Sequence, residues 1–335
     1  MSRILKPLVE RESAFLLLLL AGMCLAFALL TPSGTFLSTL NATNVALDTA
    51  EILVLASGMT YIIIAAGIDL SIGSLVVFSS VAFAEVMTRI ASSSGVFDQP
   101  RHLGLGIAVG VAAALVAGLG WGIVNGYLIG YHGIPAFVVT LGTLGVALGL
   151  AQVWTAGINV SGVPFRLQET LGSGKLFGAI PWLVILAAAV VGVLWVVLSQ
   201  TRYGMRTYAI GSSLDASTRA GINVRFHVLT LYGLMGLLAG IVGVMDVSRF
   251  ATASIAAHTQ DNLAAIAAVV IGGTSLFGGK GRMGGTVIGA LIPAILRNGF
   301  ILMDVQPFWQ NVAVGAVLIV AVYIDQERRR RARIV

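Results

Sequence analysis

The residues best placed to do chemistry in this chain lie at two glycine-flanked breaks in long apolar runs. The first break is Gly67-Ile-Asp-Leu-Ser-Ile-Gly73, which holds the Asp69 carboxylate and the Ser71 hydroxyl. Because charge is costly in hydrocarbon, such a carboxylate is a candidate for lining a polar path. The alternative is a helix N-cap, in which Asp69 or Ser71 accepts hydrogen bonds from free N–H groups of the next turn.

The second break, at 271–285, imitates nucleotide-binding motifs. Gly279, Gly281 and Gly284 have the spacing of a dinucleotide fingerprint, but the membrane-like context lacks the strand and the later acidic residue that this motif needs. Lys280 is followed by glycine rather than Ser or Thr, so the segment is not a P-loop either. We predict a broken helix and a tight basic turn.

Enzymatic chemistry is poorly supported elsewhere. The sequence has no H-E-x-x-H, no G-x-S-x-G and no Cys/His metal spacing. The single cysteine, Cys24, lies in the first apolar run, which leaves no disulfide framework. The sequence also has no ATP-binding motif, so an ATP-driven process would need another chain to hydrolyse the ATP.

The elements that position these residues are predicted to be membrane helices. Hydrophobic residues make up 57% of the chain and charged residues 10%, against about a quarter charged in soluble proteins. We therefore expect an all-α polytopic integral membrane protein with some helices broken at Gly-rich turns. Apolar runs of bilayer length predict ten spans, near 13–31, 46–66, 71–88, 104–130, 135–157, 180–199, 228–247, 262–279, 284–303 and 308–325.

The basic residues predict that both termini are cytoplasmic. With ten spans, 14 of the 20 Lys and Arg residues fall inside and 5 outside, as the positive-inside rule requires. The net charge is +6, but the basic residues cluster at loop ends and in the tail, so the charge does not indicate nucleic-acid binding. We expect one transmembrane domain over 1–335, with an N-tail at 1–12, a cytoplasmic loop at 200–227 and a basic tail at 326–335.

Small and polar residues inside the spans predict how the helices pack. Gly118, Gly122 and Gly126 share one helix face and predict close helix contact. Asn125 and Asn298 either join helices or contact a polar solute.

The longest polar segment of the second half is Thr201–His227, with four arginines and one acid, Asp215. Its Leu214–Ala220 part could form a short helix on the membrane surface. Composition alone leaves two alternatives open: a solvated loop that sets topology, or a docking element for a cytoplasmic partner. Near the end of the next span, Asp246 and Arg249 are three apart and could pair.

Four motifs resemble the membrane permease subunit of carbohydrate ABC importers of the ribose, xylose and galactoside type. The likeness runs from about Asn41 to Asp325. Its motifs are SGMTYIIIAAGIDLSIGS at 57–74, IPAFVVTLGTL at 134–144, TRYGMRTYAIGSSLDASTRAGI at 201–222 and LAAIAAVVIGGTSLFGGKGRMGGTVIGALI at 263–292.

This resemblance implies a multi-pass permease of the bacterial inner membrane that imports a monosaccharide or small polyol and is not an enzyme. It implies a second permease copy or sister permease, a cytoplasmic ATP-binding subunit and an extracytoplasmic sugar-binding protein. ATP and Mg²⁺ would be bound by that ATPase, with no cofactor in this chain.

The resemblance also implies that the polar loop docks on the ATPase. The family's coupling helix has a Glu-Ala-Ala-like core followed by a small residue, Gly and Ile; here Asp215 replaces the Glu, and Thr218-Arg219 stands where Arg-Leu is common. The expected coupling residues are Asp215, Ala216, Ser217, Thr218, Arg219, Gly221 and Ile222.

The expected solute is neutral, because few charges but several amide, hydroxyl and aromatic groups are available in the spans. The alternative function is a proton- or sodium-coupled transporter that uses Asp69, Glu85 or Asp246 and works without ATP. The expected path residues are Asp69, Ser71, Asn125, Phe137, Thr140 and Asn298.

Overall fold

The computed structural model describes residues 5–32, 34–91 and 102–306, and after them 308–309, 312–313, 315–316, 319–320, 322–323 and 326. Side chains are described from residue 16 onward. The regular secondary structure of the described chain is helical, apart from an isolated bridge between Val160 and Ala253 and a hairpin of two-residue strands, β1 (Lys175–Leu176) and β2 (Ile180–Pro181).

The described chain contains twelve helices up to residue 302. Helix α6 continues directly into a π-helical turn, Gln168–Gly172. The helices are α1 (Leu5–Leu30), α2 (Thr39–Ile64), α3 (Ile72–Ile90), α4 (Leu103–Gly130), α5 (Ala136–Trp154), α6 (Phe165–Leu167), α7 (Trp182–Gln200), α8 (Arg202–Ser212), α9 (Leu214–Arg219), α10 (Val224–Phe250), α11 (Asp261–Ile271) and α12 (Met283–Leu302).

Seven helices of the described chain are long and apolar enough to cross a membrane: α2, α3, α4, α5, α7, α10 and α12. The prediction of an all-α polytopic membrane protein is therefore confirmed. In α1, the part whose side chains are described, Leu16–Leu30, is an apolar helix. Of the 18 residues in the predicted tenth span, 308–325, ten are described, and all ten are helical.

The predicted eighth span, 262–279, is not a continuous helix. Helix α11 has 11 residues, a length of about 16 Å at 1.5 Å per residue, well short of the ~30 Å hydrocarbon core. It ends at Ile271, and Gly273 follows with a φ of +86°, a backbone conformation that favours glycine. The broken helix predicted in this glycine-rich segment is confirmed.

Chain contacts divide the protein into two compact units. Unit 1 comprises Met1–Ala66, Trp195–Ser212 and Leu263–Val335, and unit 2 comprises Gly67–Leu194 and Ser213–Asn262.

In unit 1, helix α2 packs on α12, and two pairs of polar side chains join these helices. Asn41 and Asn298 exchange two hydrogen bonds, of 3.0 and 2.7 Å. The hydroxyls of Thr60 and Thr286 form a third, 2.7 Å long. Each of these four buried polar side chains thus has a hydrogen-bond partner on the facing helix, an arrangement that stabilises helix pairs in membranes.

In unit 2, glycines bring α4 and α10 into backbone contact. A Cβ on Gly118 would collide with the carbonyl oxygen of Gly236, and a Cβ on Gly236 would collide with that of Gly118. Gly122 and Gly126 meet the α10 backbone at Tyr232 and Leu229 in the same way. The predicted glycine packing face is confirmed, because only a missing Cβ permits this approach.

Candidate solute site and docking segment

The break between α2 and α3 is built around Asp69, whose side chain is buried (1% exposed). Its Oδ1 accepts hydrogen bonds from the Ser71 backbone N–H at 2.8 Å and from the Ser71 hydroxyl at 2.6 Å. Ser71 is the residue before α3 and makes no side-chain cap bond. The capping prediction is therefore wrong for Ser71, whereas Asp69 does accept from a backbone N–H, that of the residue just before α3.

This turn belongs to a buried hydrogen-bond network in unit 2. The Ser71 hydroxyl accepts from Asn125 Nδ2 on α4 at 3.0 Å. Asn125 Oδ1 in turn accepts from the Thr143 hydroxyl on α5 at 2.6 Å. Three residues named from the sequence are thus brought together, and Thr143 is the member that sequence reasoning missed. Its position three residues after Thr140, on the same face of α5, is the pattern that could have indicated it.

The second carboxylate oxygen, Asp69 Oδ2, is buried and has no hydrogen-bond partner in the described structure. Burial raises the pKa of Asp69, which lies between the candidate spans, to about 6, although its two Ser71 hydrogen bonds act in the opposite direction. On the same turn, the Ile68 carbonyl accepts from the Tyr232 hydroxyl at 3.2 Å. Asp69 Oδ2 is therefore a spare acceptor for a hydroxyl group or a proton.

The other expected path residues lie outside this network. Thr140 is buried and donates to the Ala136 carbonyl of its own helix. Phe137 is 55% exposed. Asn298 belongs to unit 1 and pairs with Asn41.

A cavity of about 70 Å³, partly open to solvent, lies beside the break in unit 2. Its wall is tied to the network because the Ser74 hydroxyl donates to the Ser71 carbonyl at 2.7 Å. The lining contains no Lys, Arg, Asp or Glu among the described residues. It consists of Leu70, Gly73, Ser74, Val77, Leu144, Leu148, Ala257, His258, Thr259 and Asn262.

The imidazole of His258 lies between two carboxylates. Its Nδ1 is 2.6 Å from Asp261 Oδ2, and its Nε2 is 3.2 Å from Asp246 Oδ1. The sequence suggested Arg249 as the partner of Asp246; the structure places His258 there, and the Arg249 guanidinium lies 4.8 Å from the centre of the Phe250 ring. Sequence reasoning missed this cluster, although the spacing of three between His258 and Asp261 was visible.

His258 Nδ1 is within hydrogen-bond distance of Asp261, whereas Nε2 lies at ion-pair distance from Asp246 without an aligned hydrogen bond. Both carboxylates favour the protonated form of the ring. Burial alone would lower the pKa of His258, but the charges and hydrogen bonds of Asp261 and Asp246 raise it well above the ordinary 6.5.

The short helix predicted in the polar loop is confirmed as α9, and both of its ends are capped. The Ser213 hydroxyl accepts from the Ala216 N–H at 3.2 Å. At the other end, the Ile222 N–H donates to the Ser217 carbonyl and the Gly221 N–H to that of Thr218. With Gly221 at a φ of +79°, this is a Schellman motif, which ends a helix through a left-handed residue.

Helix α9 presents nearly all of its surface to solvent. Leu214 is 56% exposed, and Ser217 is its buried residue. Asp215 in the first turn and Arg219 in the last both favour the helix dipole. An isolated six-residue helix is unstable without such caps and charges, so these residues fix an exposed rigid element.

Helix α8, which precedes α9, is attached to the glycine-rich turn of unit 1. The Tyr208 hydroxyl donates to the Gly281 carbonyl at 2.9 Å. The Gly279 N–H donates to the Ile64 carbonyl at the end of α2, at 2.8 Å. The predicted basic turn therefore forms one packed group with α8 and the end of α2.

Apolar membrane-length helices, broken segments, a buried polar network and a short exposed helix are together typical of a polytopic membrane permease. The chain belongs to the family described as branched-chain amino acid transport system / permease component, which matches residues 41–322. It is a multi-pass membrane permease of the bacterial ABC-importer type, a transport subunit rather than an enzyme.

Relatives match over nearly the whole chain. The ribose import permease of Escherichia coli strain K12 is 34% identical, covering 96% of this chain and 95% of the relative. The ribose import permease of Bacillus subtilis strain 168 is 37% identical over 90% and 88%. The D-allose transport system permease of E. coli K12 is 32% identical over 92% and 90%. No solved structure matches the chain.

Proposed function

We propose that this chain carries a neutral monosaccharide or small polyol into the cell as the permease of an ATP-driven importer. The observation that supports this most directly is that permeases named for ribose and D-allose align with it over about nine tenths or more of its length. Family membership also favours the importer over the ion-coupled alternative.

The cavity supports a sugar over the branched-chain amino acid of the family description. A zwitterion needs partners for both an ammonium and a carboxylate, and a buried charge without a partner is costly. In the described lining, the ionisable residue is His258, and Asp246 and Asp261 already engage its ring. The rest of the lining offers hydroxyl and amide groups at Ser74, Thr259 and Asn262, with apolar side chains opposite. That combination suits a solute with many hydroxyl groups and apolar C–H faces.

We propose a solute path along the break, with Asp69 Oδ2 as an acceptor for a solute hydroxyl. Ser71 and Asn125 hold this acceptor in place through the network. Thr140 and Phe137 on α5 remain candidates. For Asn298, the reciprocal pair with Asn41 favours helix joining over solute contact.

The proposed assembly has ten spans with both termini cytoplasmic. Two permeases, either two copies or sister chains, would enclose the path within the bilayer. A cytoplasmic ATP-binding subunit would hold ATP and Mg²⁺, and an extracytoplasmic binding protein would deliver the sugar. This chain would need no cofactor of its own and no nucleic acid.

We propose that α9 transmits the ATPase motion. Its exposed surface suits insertion into a groove on the ATP-binding subunit, and its caps let it move as a rigid body. ATP binding would close the ATPase dimer and open the path outward, and hydrolysis would reset it. The proposed coupling residues are those of the 215–222 segment named above.

The test is uptake by the reconstituted importer. Permease, ATP-binding subunit and binding protein are placed in proteoliposomes with ATP on the ATPase side, and D-ribose, D-xylose, D-allose and L-leucine are compared. ATP-dependent uptake of a sugar, with none of leucine, is expected. Uptake of leucine but of no sugar would contradict the sugar assignment. Uptake by the permease without the ATP-binding subunit and without ATP would favour the ion-coupled alternative.

A further inference from the structure

The cavity beside the break has two chemically different walls. The apolar wall consists of Leu70 just before α3, Val77 within α3, and Leu144 and Leu148 on α5. The polar wall consists of Ser74 on α3 and of residues from the connection between α10 and α11. Such a pair of walls can hold a pyranose ring, which has C–H faces and hydroxyl edges.

We call residues 251–262 the 251–262 strap; it comprises the connection between α10 and α11 and the first two residues of α11. Its first part pairs with Val160 through the backbone of Ala253, and its second part is held over the cavity at two points. Asn262 Nδ2 donates to the Leu70 carbonyl at 3.3 Å. His258 packs so closely on α3 that a Cβ at Gly73 would collide with the His258 carbonyl oxygen. The strap therefore contacts the same turn that carries Asp69.

His258 keeps its place through charge rather than through local backbone preference. Its φ is +60°, a conformation that L-residues rarely adopt. The imidazole is fixed by Asp246, on the last turns of α10, and by Asp261 at the start of α11. The other elements lining the cavity, α3 and α5, present no ionisable side chain to it.

We propose that this cavity is a subsite for a neutral sugar and that the Asp246–His258–Asp261 cluster positions the strap that forms its polar wall. The inference rests on the proposed function for the identity of the solute. The direct sugar contacts are Ser74, Thr259 and Asn262, and His258 is a positioning residue. Losing the imidazolium would leave two carboxylates facing each other, so the strap would lift from α3.

The test measures access to the cavity without transport. Cys24 is the only cysteine, so Cys24→Ser gives a background in which Ser74→Cys is the single thiol. The purified permease in nanodiscs is treated with a fluorescent maleimide, alone and with millimolar D-ribose, D-xylose or D-allose. Ser161→Cys, exposed in the same unit, reports any general effect on reactivity.

A sugar that occupies the subsite should slow labelling at position 74 by about tenfold at ten times its dissociation constant and leave Ser161→Cys unchanged. His258→Gln should speed labelling at position 74 by about tenfold, since the strap opens more often, and should remove the protection. His132→Gln is the matched control, because His132 is exposed in the same unit. Gly73→Ala, which pushes on the strap from the α3 side, should act like His258→Gln.

Other outcomes would overturn separate parts of the proposal. Unchanged labelling at position 74 in a folded His258→Gln protein would overturn the positioning role. Failure of a sugar to protect position 74, although the reconstituted importer takes up that sugar, would place the subsite elsewhere and leave the proposed function intact. Protection by leucine rather than by sugars would instead count against the proposed function.

Discussion

Asn125 on α4 donates from Nδ2 to the Ser71 hydroxyl across 3.0 Å, although the two residues are 54 positions apart in the sequence. Asn125 uses its other amide atom, Oδ1, to accept from Thr143. One side chain thus connects the break to two membrane helices. This makes Asn125 the best position at which to test whether the network matters for transport.

Replacing Asn125 with leucine should reduce sugar uptake at least tenfold and lower stability. The change leaves the Ser71 and Thr143 hydroxyls without their partner, at a cost of about 1–3 kcal/mol per buried group. Uptake by proteoliposomes and thermal unfolding in detergent measure the two effects. Thr286→Val is the control, since it removes one buried interhelical hydrogen bond of unit 1 without touching the break. Normal uptake by the leucine variant would remove Asn125 from the path.

Asp69→Asn should make the protein more stable at neutral pH but less active. Burial raises the pKa of Asp69 from 3.8 to about 6, so the folded state binds this proton more tightly than the unfolded chain does. The contribution of Asp69 to the free energy of unfolding therefore falls by roughly 3 kcal/mol as the pH rises from 3.8 to about 6. The asparagine Oδ1 can still accept from Ser71, and only the spare acceptor is lost.

The measurement for Asp69→Asn is the melting temperature between pH 4 and 8, paired with uptake. The variant and the wild type should be nearly equal near pH 4 and diverge as the pH rises. A variant that is both less stable and inactive at pH 7 would show that the carboxylate has a structural role instead.

Gly221→Val should uncouple transport from ATP hydrolysis. The residue has a φ of +79°, and a left-handed conformation costs an L-residue about 1–2 kcal/mol, more when the side chain is β-branched. The Schellman end of α9 would be lost, and with it the rigid docking element. Co-purification with the ATP-binding subunit and ATP-driven uptake should both fall, while Gly221→Asn should keep most of each.

Gly178→Val is the matched control for Gly221, because Gly178 also has a positive φ (+71°) and open space around it. It lies in the β1–β2 hairpin rather than in the coupling loop. Equal loss of ATPase binding in both variants would mean that the effect comes from general destabilisation.

Gly118→Val should destabilise the permease far more than Gly120→Val, two residues away on the same helix. A side chain at Gly118 meets the α10 backbone, while one at Gly120 meets nothing within 4 Å. Overpacking costs about 1–3 kcal/mol or more, whereas the helix-propensity term is the same for both. Thermal unfolding in detergent measures the difference, and similar melting temperatures would refute the close contact of α4 and α10.

Alkaline pH should weaken the hold of His258 on the strap. Because the folded-state pKa of His258 lies above its ordinary value of 6.5, its stabilisation is fully present below pH 6.5 and disappears as the pH rises through the folded-state pKa. The stability gap between wild type and His258→Gln should therefore be largest near pH 6 and shrink toward pH 10. A gap that is constant across this range would show that the ring acts through packing alone.

The sequence by itself determined those features of this protein that depend on neighbouring residues. Apolar runs predicted the long helices α2, α3, α4, α5, α7, α10 and α12. They failed at the predicted eighth span, where α11 ends at Ile271. Ser213 and Gly221 terminate α9 through bonds to residues at most five positions away. The spacing of Gly118, Gly122 and Gly126 predicted a packing face because helical periodicity is local.

Only the tertiary structure decided which polar groups meet. Asn41 and Asn298 are 257 positions apart, and no periodicity relates them. Asp246 lies beside His258 rather than pairing with Arg249 one turn away, because the 251–262 strap places the imidazole next to α10. In an apolar interior each buried polar group must find a partner, and packing of distant helices determines which partner is within reach.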